Sequence, residues 1–308
     1  MTMTATRVAL GDALKALGEV NEKVIVFDGD VASATYTQTF AKAFPDRFYQ
    51  MGIAEANMTG VAAGMSEFGF IPFVSTFAVF GTGRAYDQVR NTVAYGHYNV
   101  KLAMTHAGIT GGPDGGSHQA IEDLALMRVI PGMTVLCPCD TAETHQAIRL
   151  AAEIEGPVYI RLSRMATPDY PEYPFVLGGS HVVREGKDAV LFTNGTMVSR
   201  CIEAADLLAE KGISCAIVNL YSVKPIDEAR IGEYANKCSK VITVEEHSII
   251  GGLGDAVSMV LGDVCVPMKR IGVQDKFGGS SKKPEELLTA YGLDGAGIAA
   301  QAEAWLKK

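Results

Sequence analysis

One carboxylate stands out because so little charge surrounds it. In residues 49–80, YQMGIAEANMTGVAAGMSEFGFIPFVSTFAVF, the charged side chains are Glu55 and Glu67. Ala54, Met58, Val61, Ala62 and Met65 recur at helical spacing after the extended run 48–51, which predicts a helix carrying Glu55 in its first turn. A glutamate there is favoured by the helix dipole and needs no further role. A helix too apolar for the surface would instead desolvate the carboxylate, raise its pKa, and leave it holding a proton or a strong hydrogen bond. Capping group and acid–base group are both open from this stretch alone.

A second candidate is the loop at 105–119, Thr105-His106-Ala-Gly-Ile-Thr-Gly-Gly-Pro-Asp114-Gly-Gly-Ser-His118-Gln. Its glycines keep the backbone free of bulk, while two histidines and an aspartate supply groups that bind ligands or move protons. The spacing matches no stereotyped set of metal ligands, so no metal site is read here. A long Gly-rich loop in a compact domain is more often functional than incidental. In Ser75-Thr-Phe77-Ala-Val-Phe80 two aromatics follow a strand at i, i+3 spacing, which alone reads as core packing. Arg7, Arg84, Arg161 and Arg164 are isolated planar donors suited to phosphate or carboxylate, and equally to ordinary ion pairs.

Other chemistries are poorly supported. Gly251-Gly-Leu-Gly254 lacks the spacing of a dinucleotide loop, and no GxxxxGK[ST] occurs. The net charge of -8 without a long basic run argues against nucleic acid. Six cysteines in apolar surroundings, with Cys137-Pro-Cys139 lacking the two-residue spacer of metal and redox motifs, read as reduced buried thiols. No segment has the length of a membrane span and the N-terminus has no export signature, so a cytoplasmic protein without a membrane partner is expected.

The elements that must hold these residues form two units. At 308 residues and 48% hydrophobic composition, the chain can bury two ordinary cores. Short apolar runs alternate with amphipathic helices, the pattern of a largely parallel α/β sheet. Helices are expected at 7–17, 37–44, from Glu55, at 83–95, from about Gln119, and at 141–155; strands at 24–27, 71–76, 100–106, 134–138 and 158–161. Three prolines within 168–174 break the pattern. A smaller α/β unit follows, with strands at 189–193, 215–220 and 241–245 and helices at 197–211, 227–236 and from about Gly297. The expected domains are 1–170 and 187–308, joined by a linker at 171–186.

Taken in order, Gly52-Ile-Ala-Glu55-Ala-Asn, Ser75-Thr-Phe77-Ala-Val-Phe80, Thr105-His106 through Gly-Pro-Asp114-Gly-Gly-Ser-His118-Gln, and Leu162-Ser-Arg164 resemble the second half of transketolase. The likeness runs from Arg7 to the terminal Lys224-Pro-Ile-Asp227 and Glu245-Glu-His-Ser-Ile-Ile-Gly-Gly-Leu-Gly254, and covers nearly the whole chain. It implies a pyrimidine-binding domain, a terminal domain, and thiamine diphosphate as cofactor. In that family the Glu matching Glu55 hydrogen-bonds a ring nitrogen of the cofactor's aminopyrimidine and favours its imino tautomer. Phe77 and Phe80 match aromatics packed on that ring, and Asp30 matches an aspartate near the thiazolium across the dimer. His118 and Asp114 match residues facing the sugar hydroxyls and carbonyl; Arg7, His106 and Arg164 match residues facing the terminal phosphate. Cationic donors at one end of an extended sugar phosphate would fix its register for ketol transfer. Arg84 enters the space of a family aromatic and is a further substrate-side candidate. Glu246 and His247 match residues of subunit contact.

The family's diphosphate and magnesium motif, GDG followed by an Asn pair, does not occur, and Asp28-Gly-Asp30 has the wrong order. The resemblance therefore implies a split enzyme inactive as this chain alone. An N-terminal transketolase subunit would hold Mg2+ and diphosphate, with the cofactor shared at the interface of a heterotetramer containing two copies of each chain. The alternatives are the beta subunit of a 2-oxo acid dehydrogenase's decarboxylating component, a 1-deoxyxylulose-5-phosphate synthase-like enzyme, and a non-catalytic assembly or regulatory subunit.

Overall fold

The computed structural model describes residues 2–262 and 264–308. Strand β1 (Met3–Ala5) leads into helix α1 (Thr6–Val20), β2 (Val24–Asp28), the short helices α2 (Ala32–Thr35) and α3 (Gln38–Ala43), β3 (Phe48–Gln50), α4 (Glu55–Glu67) and β4 (Ile71–Ser75). Next come β5 (Lys101–Met104), α5 (Asp123–Arg128), β6 (Thr134–Leu136), α6 (Thr141–Glu153), β7 (Val158–Arg161) and β8 (Ala166–Pro168). The second unit comprises β9 (His181–Arg184), β10 (Ala189–Thr193), α7 (Met197–Ala209), β11 (Cys215–Asn219), β12 (Ser222–Lys224), α8 (Glu228–Cys238) and β13 (Val241–Ser248). It ends with α9 (Leu253–Leu261), β14 (Met268–Val273), α10 (Pro284–Tyr291) and α11 (Gly295–Leu306).

The first sheet has the order β12-β6-β7-β5-β4-β2-β3 and is parallel except for β12. Helices cover both faces, so its strands are apolar throughout rather than alternating. On β2, Val24 and Val26 pack with Leu10, Leu14 and Phe40, while Ile25 and Phe27 pack with Met58, Leu102 and Met127 on the other side. The second sheet, β14-β13-β10-β11-β9, repeats the three layers, with the antiparallel β9 at one edge.

Three sequence expectations change. The segment read as one helix over 83–95 is two π-helical turns, Val79–Arg84 and Gln88–Ala94. In the first turn the Ala85 N–H reaches back five residues to the Phe80 carbonyl at 3.1 Å, and Gly81 lies against Met104, whose sulfur would sit 2.4 Å from an added Cβ. The helix expected from Gln119 starts at Asp123, because Ala120 first bridges to Ala107. No regular element spans 169–180, and β9 lies within the stretch read as linker.

The units are joined by buried polar groups. Strand β12 crosses from the second unit to the edge of β6. The Glu246 carboxylate accepts bonds from the Thr110 N–H at 2.7 Å and from the Thr110 and Thr196 hydroxyls, each at 2.8 Å. Glu245 accepts from the Leu253 and Gly254 N–H groups at the start of α9, and burial pushes it up to about 7. Both carboxylates and His247 are buried within this chain. Replacing Glu246 by Ala strands three buried donors and should cost about 3 kcal/mol in urea unfolding. A loss below about 1 kcal/mol would contradict this account of the junction.

Candidate active site

Most site elements follow the carboxyl end of a parallel strand, where an open α/β sheet leaves a crevice. Asp30 follows β2, Glu55 follows β3, Phe77 follows β4, His106 follows β5 and Arg164 follows β7. Arg7 joins them from the first turn of α1, its N–H bonded to the Ser163 carbonyl at 3.2 Å.

Glu55 is the first residue of α4 and is 2% exposed. It caps no backbone group of that helix. Its two carboxylate oxygens each accept from Nη1 of Arg84 at 3.0 Å. The Arg84 guanidinium lies 4.6 Å from the Phe80 ring centroid. Arg84, expected toward substrate, is thus held on Glu55 and Phe80. Because a single nitrogen serves both oxygens, lone pairs remain on each for another donor.

The aromatics form a wall rather than interior packing alone. The Phe77 and Phe80 rings stack with centroids 6.0 Å apart. The His106 ring lies 3.9 Å from Phe77, and His118 stands edge-on to Phe80 at 5.2 Å. The Thr76 hydroxyl beside them is buried and has no hydrogen-bond partner. A carboxylate, stacked rings and an unsatisfied hydroxyl suit a flat heteroaromatic ring bearing polar nitrogens. The described residues contain no group of three or more His, Cys, Asp and Glu side chains able to hold a metal ion.

Beyond the wall stand Arg7, His106 and Arg164. Arg7 donates from Nη1 to the Ala34 carbonyl at 2.9 Å and meets His106 Nε2 at 3.3 Å, while its Nε is buried without a partner. Since arginine only donates, His106 Nε2 must accept and Nδ1 carries the proton, given to the Thr105 hydroxyl at 2.8 Å. Burial, helped by Arg7, Arg164 and His118, lowers the His106 pKa from 6.5 to about 3. His106 is therefore a neutral acceptor that orients Arg7, not a third cation. It also adopts φ +59°, a strained value characteristic of sites. Arg164 donates to the Gly111 carbonyl and meets Asp114 at 3.5 Å.

The structure thus brings Glu55, Arg84, Phe77, Phe80, His106, His118 and Arg7 into one continuous cluster, with Asp114 on the 105–119 loop and Arg164, after β7, paired to it alongside. Asp30 is exposed at φ +68°, its N–H bonded to Gln50 Oε1 at 2.7 Å, and has no hydrogen bond to the cluster. Sequence reading missed Tyr36, over whose ring Arg7 lies at 5.4 Å. Its φ of +65° is unusual for tyrosine and carries no sequence signal. Asp28, buried beneath, accepts from Val31 N–H and from the Thr35 and Thr37 hydroxyls and so fixes that turn.

Residues 2–169 match the transketolase pyrimidine-binding domain and residues 178–298 the transketolase C-terminal domain, so the chain belongs to the transketolase family. Within the family it is a C-terminal subunit, of the kind found in split enzymes. It is 45% identical to a protein named as a transketolase C-terminal section in Methanocaldococcus jannaschii, across 98% of this chain and 96% of that one. It is 34% identical to one of the subunits of the apulose-4-phosphate transketolase of Phocaeicola vulgatus, across 99% of both chains. A solved split-gene transketolase, described as an inactive β4 tetramer, superimposes with a TM-score of 0.90 at 47% identity over 99% of each chain. No helix among the described residues is long and apolar enough to cross a membrane.

The His106 geometry makes a pH prediction. Its folded pKa lies below the ordinary 6.5, so the unfolded chain takes up the proton first as pH falls. This contribution to stability is complete above 6.5 and is lost toward pH 3, at about 1.4 kcal/mol per pH unit. In an NMR titration the His106 ring should remain neutral from about pH 8 to about pH 5. A midpoint above about 5 would contradict the buried, Arg7-facing environment assigned to the ring.

Proposed function

We propose that this chain supplies the pyrimidine-side half of a transketolase active site and transfers a two-carbon ketol unit between sugar phosphates, or close analogues, once joined to an N-terminal subunit. The observation carrying the proposal is the buried Glu55 carboxylate beside the Phe77–Phe80 wall. The family's dependence on thiamine diphosphate supplies the chemistry: when bound, the cofactor accepts and releases the ketol unit at its thiazolium carbon.

This chain's residues do the rest. Glu55 offers a remaining lone pair to a ring nitrogen and holds or returns the proton there, while Phe77 and Phe80 set the ring plane and keep water away. His118, against the wall, faces the sugar together with Asp114. Arg7, oriented by His106, offers its unpartnered Nε–H to the anionic end of the substrate; Arg164 assists at the loop. Diphosphate and Mg2+ are assigned to the partner subunit, since no such donor set occurs among the described residues. The assembly proposed is a heterotetramer with the cofactor at the interface. The β4 tetramer formed by the similar split-gene protein, inactive as such, supports both self-association and the need for a partner. Asp30, at the sheet's carboxyl edge, is proposed to reach the thiazolium side only in that assembly.

A reconstitution assay tests this proposal. Ketol transfer from a ketose phosphate should be absent with the purified chain and appear on adding a subunit carrying the diphosphate and magnesium motif. Full activity of the isolated chain would overturn the split-site reading, and pyruvate-dependent products would favour the dehydrogenase or synthase alternative.

A further inference from the structure

The terminal domain touches the substrate loop at a place where added side-chain bulk would force the Gln119 amide to move. Segment 274–283 between β14 and α10 runs over residues 112–119. Gln119 is 3% exposed, and its Nε2 donates both to Ile109 O at 2.7 Å, inside the loop, and to Gly279 O at 2.8 Å, in the terminal domain. The Ser281 N–H reaches Gly112 O at 3.3 Å, and the Ser280 hydroxyl reaches Pro113 O at 3.1 Å. The overlying segment is itself anchored to α10, where the Tyr291 hydroxyl donates to Phe277 O at 2.7 Å.

Two glycines permit the contact. A Cβ on Gly278 would lie 1.7 Å from Gln119 Oε1 and 2.8 Å from its Cδ. A Cβ on Gly116 would lie 3.0 Å from Gly278 O. The Gln119 amide could yield to such a Cβ only by giving up its two donated bonds, which fix where the loop ends. The next residue back is His118, edge-on to Phe80 at 5.2 Å, and Asp114 directly follows Gly112 and Pro113, whose carbonyls take the two serine contacts.

We infer that the terminal domain positions the substrate loop of the other domain: Gln119 and Gly278 are positioning residues that hold His118 and Asp114 in register for the sugar. They act through the loop and touch neither cofactor nor substrate. The inference rests on the proposed assignment of His118 and Asp114 to the sugar side, whereas the loop's restraint stands independently of it.

Two variants test it, Gly278→Ala and the similarly sized Gln119→Met, which removes both donated bonds without adding bulk. In hydrogen exchange on the isolated chain, both should raise exchange at residues 112–118, with little change in α4 or the sheets. In the complex with the partner subunit, the KM for ketose phosphate should rise about tenfold, the equivalent of one lost hydrogen bond, with kcat and thiamine diphosphate affinity within about twofold of wild type. Unchanged loop exchange and unchanged KM in both variants would overturn the inference. So would exchange raised throughout the chain with KM and cofactor affinity worsening together, the mark of a general structural defect. If the wild-type complex performs no ketol transfer, the proposed function fails, and the exchange measurement still decides whether the terminal domain restrains the loop.

Discussion

A carboxylate removed from water must be met by donors, and the site is arranged around how Glu55 meets that demand. Its helix starts at the sheet's carboxyl edge, where α4 packs against the core and buries the first residue. The donor is Arg84, delivered by a π-helical turn and supported on Phe80. In the same turn Gly81 lets the chain press on Met104. Ion pair, aromatic wall and irregular backbone are thus one construction. Only one arginine nitrogen is used, which leaves the carboxylate able to bind a second donor.

The arginines beyond the wall follow a different economy. Arg7 is half-buried, which lowers its pKa, and it is stabilised by acceptors without full neutralisation: the Ala34 carbonyl and the neutral His106 ring. A charged His106 would repel Arg7 at 3.3 Å, and burial ensures that the ring stays uncharged. Arg164 already has Asp114 and the Gly111 carbonyl as partners. This part of the structure therefore presents an oriented donor rather than a cluster of free cations. Orientation, more than charge count, would fix the register of an extended substrate.

Much of this was readable in the sequence. Alternating buried strands and amphipathic helices gave the parallel α/β fold, because strands covered on both faces must be apolar throughout. Glu55 in the first turn, and the loop carrying His106, Asp114 and His118, followed from spacing and from glycine content. Short edge strands such as β9 and β12 escaped notice, since three or four residues paired on one side leave little pattern. The pairing of Arg84 with Glu55 was invisible because it depends on a π turn, and the neutral state of His106 because it depends on burial. Tyr36 in the left-handed region and the contact of Gly278 with Gln119 are tertiary facts, the latter set by segments about 160 residues apart in sequence.

The central claim is that the buried Glu55 carboxylate governs proton movement at the cofactor. The direct measurement is the rate at which the thiazolium carbon of bound thiamine diphosphate exchanges its proton with solvent, in the reconstituted complex containing wild-type chain or Glu55→Ala. The account predicts exchange slower by on the order of a hundredfold or more in the variant, with its melting transition intact. Equal exchange rates at saturating cofactor would contradict it.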